Sequence, residues 1–359
     1  MEGARANDRE DAGLEYLAAL RQRFRIATEA RGTNESRIEI GGLSLRLRFA
    51  GPALAEVLLP PFEHLVAEES GEPDMAIDVF DVESTGVKPP PLPWPVPEAS
   101  PGTQPVVRWS SEDACVLAAA GSGALTAAAP ASGEALFCLR SVASVPLSER
   151  AAPLRDALQM LTSSRRLWMT HAGAVGRNGA GVLLAGRGGS GKSTLAVSCA
   201  LAGMEFVADD YLLLESGPPP VAHAMQSTAK LTADSAARLG LGREAIDRAG
   251  FEPTLEGPYK ALVEVGALAP GLVRRQLRIG ALVGLSVAAV ARPELRPVGP
   301  ASGLRALAPS TIMQMRSRSA TLLGALRELV GAVPSYELRL CPDPGANAAV
   351  IAGLVDEVG

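Results

Sequence analysis

The sequence predicts an α/β phosphate-loop domain in its second half, preceded by a smaller, mainly antiparallel β (α+β) region. Three observations carry that prediction. An apolar run, Val182-Leu183-Leu184-Ala185, leads directly into Gly186-Arg187-Gly188-Gly189-Ser190-Gly191-Lys192-Ser193-Thr194. A helix-like stretch, Lys192 to Ala202, then stops at Gly203, and a second short strand, Glu205 to Ala208, ends in Asp209-Asp210. Upstream of all this, short alternating runs broken by Gly, Ser and Pro replace the strand–helix order.

The bulk composition agrees with a large folded chain. With 359 residues and 47% hydrophobic content, two domains with substantial cores are expected. The net charge of −5 gives no general attraction to nucleic acid or to an anionic membrane, and neither is expected as a partner. The four cysteines, Cys115, Cys138, Cys199 and Cys341, lack metal-ligand spacing and read as reduced packing residues. The N-terminus has no signal-peptide pattern, and the run from Ile279 to Ala291 is too short to span a bilayer. A cytoplasmic location is expected. Arginine outnumbers lysine 30 to 4, so Lys88, Lys192, Lys230 and Lys260 stand out.

The elements follow in order. Residues 1–32 read as a helical segment, with Leu14, Leu17, Leu20 and Phe24 on one stripe. Residues 33–148 form the mainly antiparallel domain. It starts with a hairpin around Gly41-Gly42, continues with a strand over Met75 to Val82, and has short strands from Val106 to Arg140. A proline-rich connection, 87–105, interrupts it as a rigid surface segment. Residues 149–359 form the phosphate-loop domain. It opens with an amphipathic helix over 149–167 and has later strands at 261–267, 278–291 and 336–340. Helices at 317–331 and 346–357 complete it.

Gly186 to Ser193 fits G-x-x-x-x-G-K-[ST]. Its glycines let backbone N–H groups turn inward around a polyphosphate, and the following helix presents its positive end. Lys192 reaches the β- and γ-phosphates, and the Ser193 hydroxyl ligates Mg²⁺. Chance at this composition gives about 0.005 matches. A strand–helix–strand unit with a short return makes the flanking strands parallel, so Asp209 and Asp210 arrive at the edge that carries the loop. Of two carboxylates there, one can face a metal and the other can take a proton from an attacking hydroxyl.

A third element comes from a turn. Asn178-Gly179 lies between two apolar runs, the pattern of a two-residue hairpin. Continued along both strands, that register sets His171 opposite Gly186, beside the phosphates. There it can ligate a divalent metal or hold the γ-phosphate. His64 and His223 lack such geometry and read as structural.

His171, the run into Gly186–Ser193, and Val207-Ala208-Asp209-Asp210 together resemble the catalytic domain of bacterial HPr kinase/phosphorylase. They look more like the HPr-kinase-related proteins found beside peptide-modification genes. The resemblance implies an HPr-kinase/phosphoenolpyruvate-carboxykinase-like nucleotide domain. It covers residues 168–215 well and the remainder in outline. It implies a histidine ahead of the loop, and acid/base and metal carboxylates from the Ala-Asp-Asp strand end. It also implies a basic residue near the γ-phosphate, which Lys260 resembles. The helix opens Lys-Ser-Thr where HPr kinases have Lys-Ser-Glu, and their downstream glycine-rich segment is not found. HPr itself and phosphorolysis therefore do not carry over.

The expectation is an ATP-dependent kinase acting on a hydroxyl, most plainly a serine of a protein or peptide. Gly186 to Thr194 hold ATP, and Asp209, Asp210, His171 and Lys260 serve catalysis. Mg²⁺ falls to Ser193 and one carboxylate, nominally Asp210; the sequence leaves exchange of the two aspartates open. The N-terminal region would recognise the substrate, and the resemblance admits a homo-oligomer. The alternatives are a nucleotide-binding ATPase or sensor without a phosphoacceptor, and a small-molecule kinase.

Overall fold

The computed structural model describes residues 2–359 apart from 69–70, 98–105, 112, 120–122, 248, 255–257 and 315–319; for 2–11, 314 and 320 it describes the backbone alone. The chain forms two units. The first comprises Met1–Pro60 and Leu65–Arg165, the second Pro61–His64 and Arg166–Gly359. The sequence reading had drawn its boundary at 148/149. Residues 149–165 go instead with the first unit, where a helix at Arg155–Ser163 packs on that unit's sheet.

In the first unit, α1 (Glu2–Arg31) precedes the hairpin β1 (Thr33–Ile40) and β2 (Leu43–Ala50). Gly41 and Gly42 both have positive φ, as a tight two-residue hairpin loop requires. Then come α2 (Ala53–Leu58), β3 (Met75–Asp81), α3 (Val82–Thr85), β4 (Val106–Ser110), β5 (Cys115–Ala119), β6 (Ala124–Ala129), β7 (Glu134–Leu139), α4 (Leu147–Ala151) and α5 (Arg155–Ser163). Their sheet runs β1-β2-β3-β7-β6-β5-β4. It is mixed: β2–β3 and β3–β7 are parallel, whereas the outer pairings are antiparallel. The parallel joint arises because the chain crosses back through α2 between β2 and β3 instead of turning directly. The α1 stripe, Tyr16, Leu17, Leu20, Phe24 and Ala27, is buried against Phe80, Leu125 and Leu136.

One expectation changes here. The helix forecast over 149–167 is broken between α4 and α5: Leu154 adopts φ 56 directly after Pro153, whose ring excludes continuous helix across the junction. The described part of the proline-rich connection lies largely on the surface, with Val87 its one buried residue, and two contacts tie it down. Tyr16 Oη donates to Pro90 O at 3.1 Å, and the Trp94 ring stacks on Trp109 at 4.9 Å. The part from residue 98 to 105 lies outside the described residues.

The second unit contains β8 (Leu167–Thr170), β9 (Gly173–Arg177), β10 (Ala180–Ala185), α6 (Lys192–Leu201), β11 (Glu205–Ala208), β12 (Leu212–Glu215), β13 (Val221–Ala224), β14 (Thr228–Thr232), α7 (Ala233–Arg238), β15 (Lys260–Glu264), α8 (Val265–Leu268), β16 (Gln276–Val287), β17 (Glu294–Val298), α9 (Pro300–Gln314), α10 (Ala320–Ala332), β18 (Ser335–Leu340) and α11 (Pro344–Val358). The strand expected at 261–267 thus gives way to a helical turn after Glu264. The main sheet runs β11-β9-β10-β16-β13-β12-β8, with β18 beside the second half of β16 and β17 beyond it. β14 and β15 pair separately.

The β9–β10 hairpin has the register that Asn178-Gly179 dictates, from Arg177↔Ala180 to Gly173↔Leu184. Both β10 and β11 pair antiparallel to β9, so they run parallel to each other; β16 and β18 run parallel to β10 and to β16 respectively. Four carboxyl ends therefore share one edge. Below it, Val175, Val182, Leu184, Leu195 and Phe206 form the core between sheet and α6. Among the described residues no helix is long and apolar enough to cross a membrane.

Phe206 is fully buried at the centre of that core. Phe206→Ala is expected to lower stability by about 3–5 kcal/mol through lost transfer energy and a residual cavity. A fall in the guanidinium unfolding midpoint, read by circular dichroism, checks this.

Candidate functional site

The loop between β10 and α6 is shaped by its glycines. Gly186, Gly189 and Gly191 all have positive φ. At Gly186 a Cβ would run into the Ser190 side chain and come 3.1 Å from Leu285 O, so glycine is required on space as well as conformation. Lys192 is buried, and its Nζ donates to Gly186 O at 2.7 Å and to Arg187 O at 3.4 Å. The lysine thus curls back over the loop's own carbonyls. Ser190 Oγ is buried without a hydrogen-bond partner. An unpaired donor there, just ahead of the start of a ten-residue helix, suits an anionic oxygen.

The acidic pair stands at the end of β11 on the same edge. Asp209 is 2% exposed; its carboxylate accepts from the Ser193 hydroxyl and, at 3.3 Å, from the backbone N–H of Lys230. Burial, then the neighbouring Asp210 charge, pushes its pKa up to about 6. Asp210 is held differently. Lys230 Nζ lies 2.8 Å from its Oδ2, and His171 Nε2 lies 2.6 Å from its Oδ1. Burial opposes its ionisation, but Lys230 and His171 hold it well below the usual carboxylate range. Burial likewise opposes the charge on Lys230, yet Asp210 raises that ammonium above the ordinary lysine value. Tyr211 completes the wall, with the Lys230 ammonium 5.9 Å from its ring centroid and the His171 ring 5.5 Å away.

The structure therefore brings together Gly186 to Thr194, Asp209, Asp210 and His171. Three details differ from the sequence reading. The carboxylate beside Ser193 is Asp209, whereas Asp210 had been nominated for the metal. The β9–β10 ladder ends at Gly173↔Leu184, and the chain turns through Ala172 into β8, which pairs with β12. His171 thus lies beyond the ladder. Its Nε2 meets Asp210, and its backbone N–H donates to Thr311 Oγ1 at 3.2 Å. Lys260 opens β15 opposite Thr232, and the cation at the acidic pair is Lys230.

Lys230 was legible. It is one of four lysines, centred in the alternating Thr228-Ala229-Lys230-Leu231-Thr232, and that pattern sets its side chain opposite to Ala229 and Leu231, which enter the core. Thr311 carried no sequence signal. A hydroxyl relay was also unforeseen: Thr194 Oγ1 donates to Ser235 Oγ at 2.9 Å, and Thr232 caps α7 through Ser235 N–H at 3.2 Å. β14 and α7 thereby touch both the acidic pair and the first turn of α6.

Among the described residues no cluster of three or more His, Cys, Asp or Glu side chains forms a metal cage. Ser193 with a neighbouring carboxylate is instead the donor set of a site in which phosphate oxygens and water complete the shell of Mg²⁺. The residues present fit that group.

No family model matches the chain, and no curated protein matches it. Among solved structures, the Hpr(Ser) kinase/phosphatase from Coxiella burnetii is similar to it at 13% identity. That match covers 48% of this chain and 84% of that one, with a TM-score of 0.26. This is a faint likeness of fold, and the functional reading rests on the residues of the site.

The raised pKa of Asp209 has a thermodynamic consequence. Its folded form binds a proton that the unfolded chain has released, so the wild type loses stability as pH rises from about 4 through about 6. Without divalent metal, Asp209→Asn is expected to be more stable than wild type at pH 8 by about 1–3 kcal/mol, with the gap closing by pH 4. Denaturant unfolding of both proteins across that range, in chelator, checks the sign. A variant no more stable at pH 8 than at pH 4, relative to wild type, contradicts it.

Proposed function

We propose that the protein is an ATP-dependent phosphotransferase that transfers the γ-phosphoryl group to a hydroxyl, most plainly a serine of a protein or peptide. The observation that supports this best is the Lys192–Ser193–Asp209 arrangement. A phosphate-loop lysine and hydroxyl meet a buried carboxylate that stays close to neutrality, on the shared edge of parallel strands. Binding alone requires the loop; a carboxylate tuned toward neutral pH is what proton transfer adds.

In this reading the amides of residues 186–193 and Lys192 hold the polyphosphate, and Thr194 ends the cradle. Ser193 and one carboxylate of the pair would hold Mg²⁺, which when bound would supply charge neutralisation at the phosphates. Asp209 takes the proton from the acceptor hydroxyl as the phosphoryl group passes to it. Asp210, held ionised by Lys230 and by its hydrogen bond with His171, does not compete for that proton. Lys230 acts as a positioning residue, fixing Asp210 with its ammonium and Asp209 with its backbone N–H. Lys260 remains the candidate for the outer phosphate, and the first unit the candidate for substrate recognition.

The direct test supplies the purified protein with γ-labelled ATP, Mg²⁺ and a lysate of its own host, then separates protein, peptide and small-molecule products. A labelled protein or peptide is expected, lost in Lys192→Ala because the triphosphate is no longer held. It is also expected to fall by about 10²–10⁴ in Asp209→Asn while nucleotide still binds. Release of free phosphate without a labelled acceptor would replace the transferase reading with an ATPase.

Lys230→Met is expected to leave Asp210 buried without its cation and to destabilise the second unit by about 3–5 kcal/mol. The double variant Lys230→Met, Asp210→Asn should recover part of that loss. Thermal unfolding of the two variants beside wild type measures it.

A further inference from the structure

We infer that Ser235, on α7, is a positioning residue for the phosphotransfer proposed above: its hydroxyl latches β14 to the first turn of α6 and so holds Lys230 and Asp209 in register with the phosphate loop. This rests on the phosphotransferase reading.

The Ser235 hydroxyl accepts from two sides. Thr194 Oγ1, on the first turn of α6, donates to it at 2.9 Å, and Thr232 Oγ1, at the end of β14, donates to it at 3.0 Å. Thr194 follows Ser193, whose hydroxyl donates to Asp209. Thr232 stands two residues beyond Lys230 on the same strand. The Lys230 backbone N–H reaches Asp209 at 3.3 Å, and its ammonium reaches Asp210 at 2.8 Å. The contacts close a ring that runs from Asp209 through Ser193, Thr194, Ser235, Thr232 and Lys230 back to Asp209. α6 and β14 each hold the carboxylate from one side, and Ser235 joins them on the other.

Apolar packing does not supply the same constraint. Ala229 and Leu231 keep β14 in one core with Leu195 of α6, but such contacts are non-directional and resist separation more than sliding. Hydrogen bonds fix both distance and angle. A displacement of about 1 Å at a reacting group costs up to about 10²-fold in rate. The latch also separates cleanly from the helix that carries it. Thr232 caps α7 by accepting from the backbone N–H of Ser235 at 3.2 Å, a bond that does not need the serine side chain. Ser235→Ala therefore opens the latch and leaves the cap, and alanine is the better helix former.

The test assays the full-length protein with Mg²⁺, γ-labelled ATP at varied concentration and a lysate of its own host as the source of acceptor. Ser235→Ala is expected to lower the labelling rate at saturating ATP about tenfold, with the KM for ATP within about twofold of wild type. Ser235→Thr keeps the hydroxyl and is expected to restore most of that rate. An unchanged rate in Ser235→Ala overturns the inference, and so does a Ser235→Thr variant no faster than the alanine one. A raised KM for ATP at an unchanged maximal rate also overturns it, since Ser235 would then act on nucleotide binding. If wild type binds ATP but labels no acceptor, the phosphotransferase reading itself fails and this inference with it.

Discussion

Two adjacent carboxylates withdrawn from water repel each other and each forfeits its hydration, so each needs partners of its own. Asp209 and Asp210 meet that requirement at the end of a strand, where successive side chains diverge. One turns to Ser193 and the other to His171 and Lys230. Much of the surrounding architecture follows from this need. β14 serves both carboxylates from one residue, since the backbone N–H of Lys230 reaches Asp209 while its ammonium reaches Asp210. The separate β14–β15 pair holds that strand in place, and Thr311 fixes the backbone of His171 from α9.

The glycine-rich loop between β10 and α6 imposes the complementary constraint. Gly186, Gly189 and Gly191 take positive φ there, and glycine gives little packing of its own. The loop is therefore supported from outside, by Leu285 O near Gly186 and by the Leu340 side chain against Gly191. Both supports come from strands parallel to β10 or its neighbour, whose ends reach the same edge. Lys192 meanwhile bonds to the loop's own carbonyls, which lets a buried ammonium keep its hydrogen bonds.

The loop, its strand and its helix were readable because each depends on residues close in sequence. The β9–β10 register was readable for the same reason, since a two-residue Asn-Gly loop determines every pair that follows. The position of His171 was not, because the ladder ends at Gly173 and β8 is captured by β12, a contact between distant segments. Choosing between Lys230 and Lys260 likewise required knowing that β14 passes the acidic pair. Lys230 sits in alternating strand sequence and Lys260 heads a continuous apolar run, but only the tertiary pairing shows which strand passes the acidic pair. In the first unit the local strands were legible, whereas the parallel joints between β2, β3 and β7 depend on crossovers that carry no local signature.

A buried ionic cluster of this kind is a poor device for stability. Apolar residues of similar volume would hold the same strand end at no greater cost, and often at a lower one. Asp209 makes the point sharply, because burial, and then the neighbouring Asp210 charge, raise its pKa to about 6 at the expense of folded-state stability above that pH. A fold selected only to persist would have replaced one of the pair. Retaining both, with one ionised through Lys230 and the other left close to its titration range, separates their chemical roles by environment alone. That separation is what the proposed phosphotransfer asks of the pair, one proton acceptor and one permanent anion.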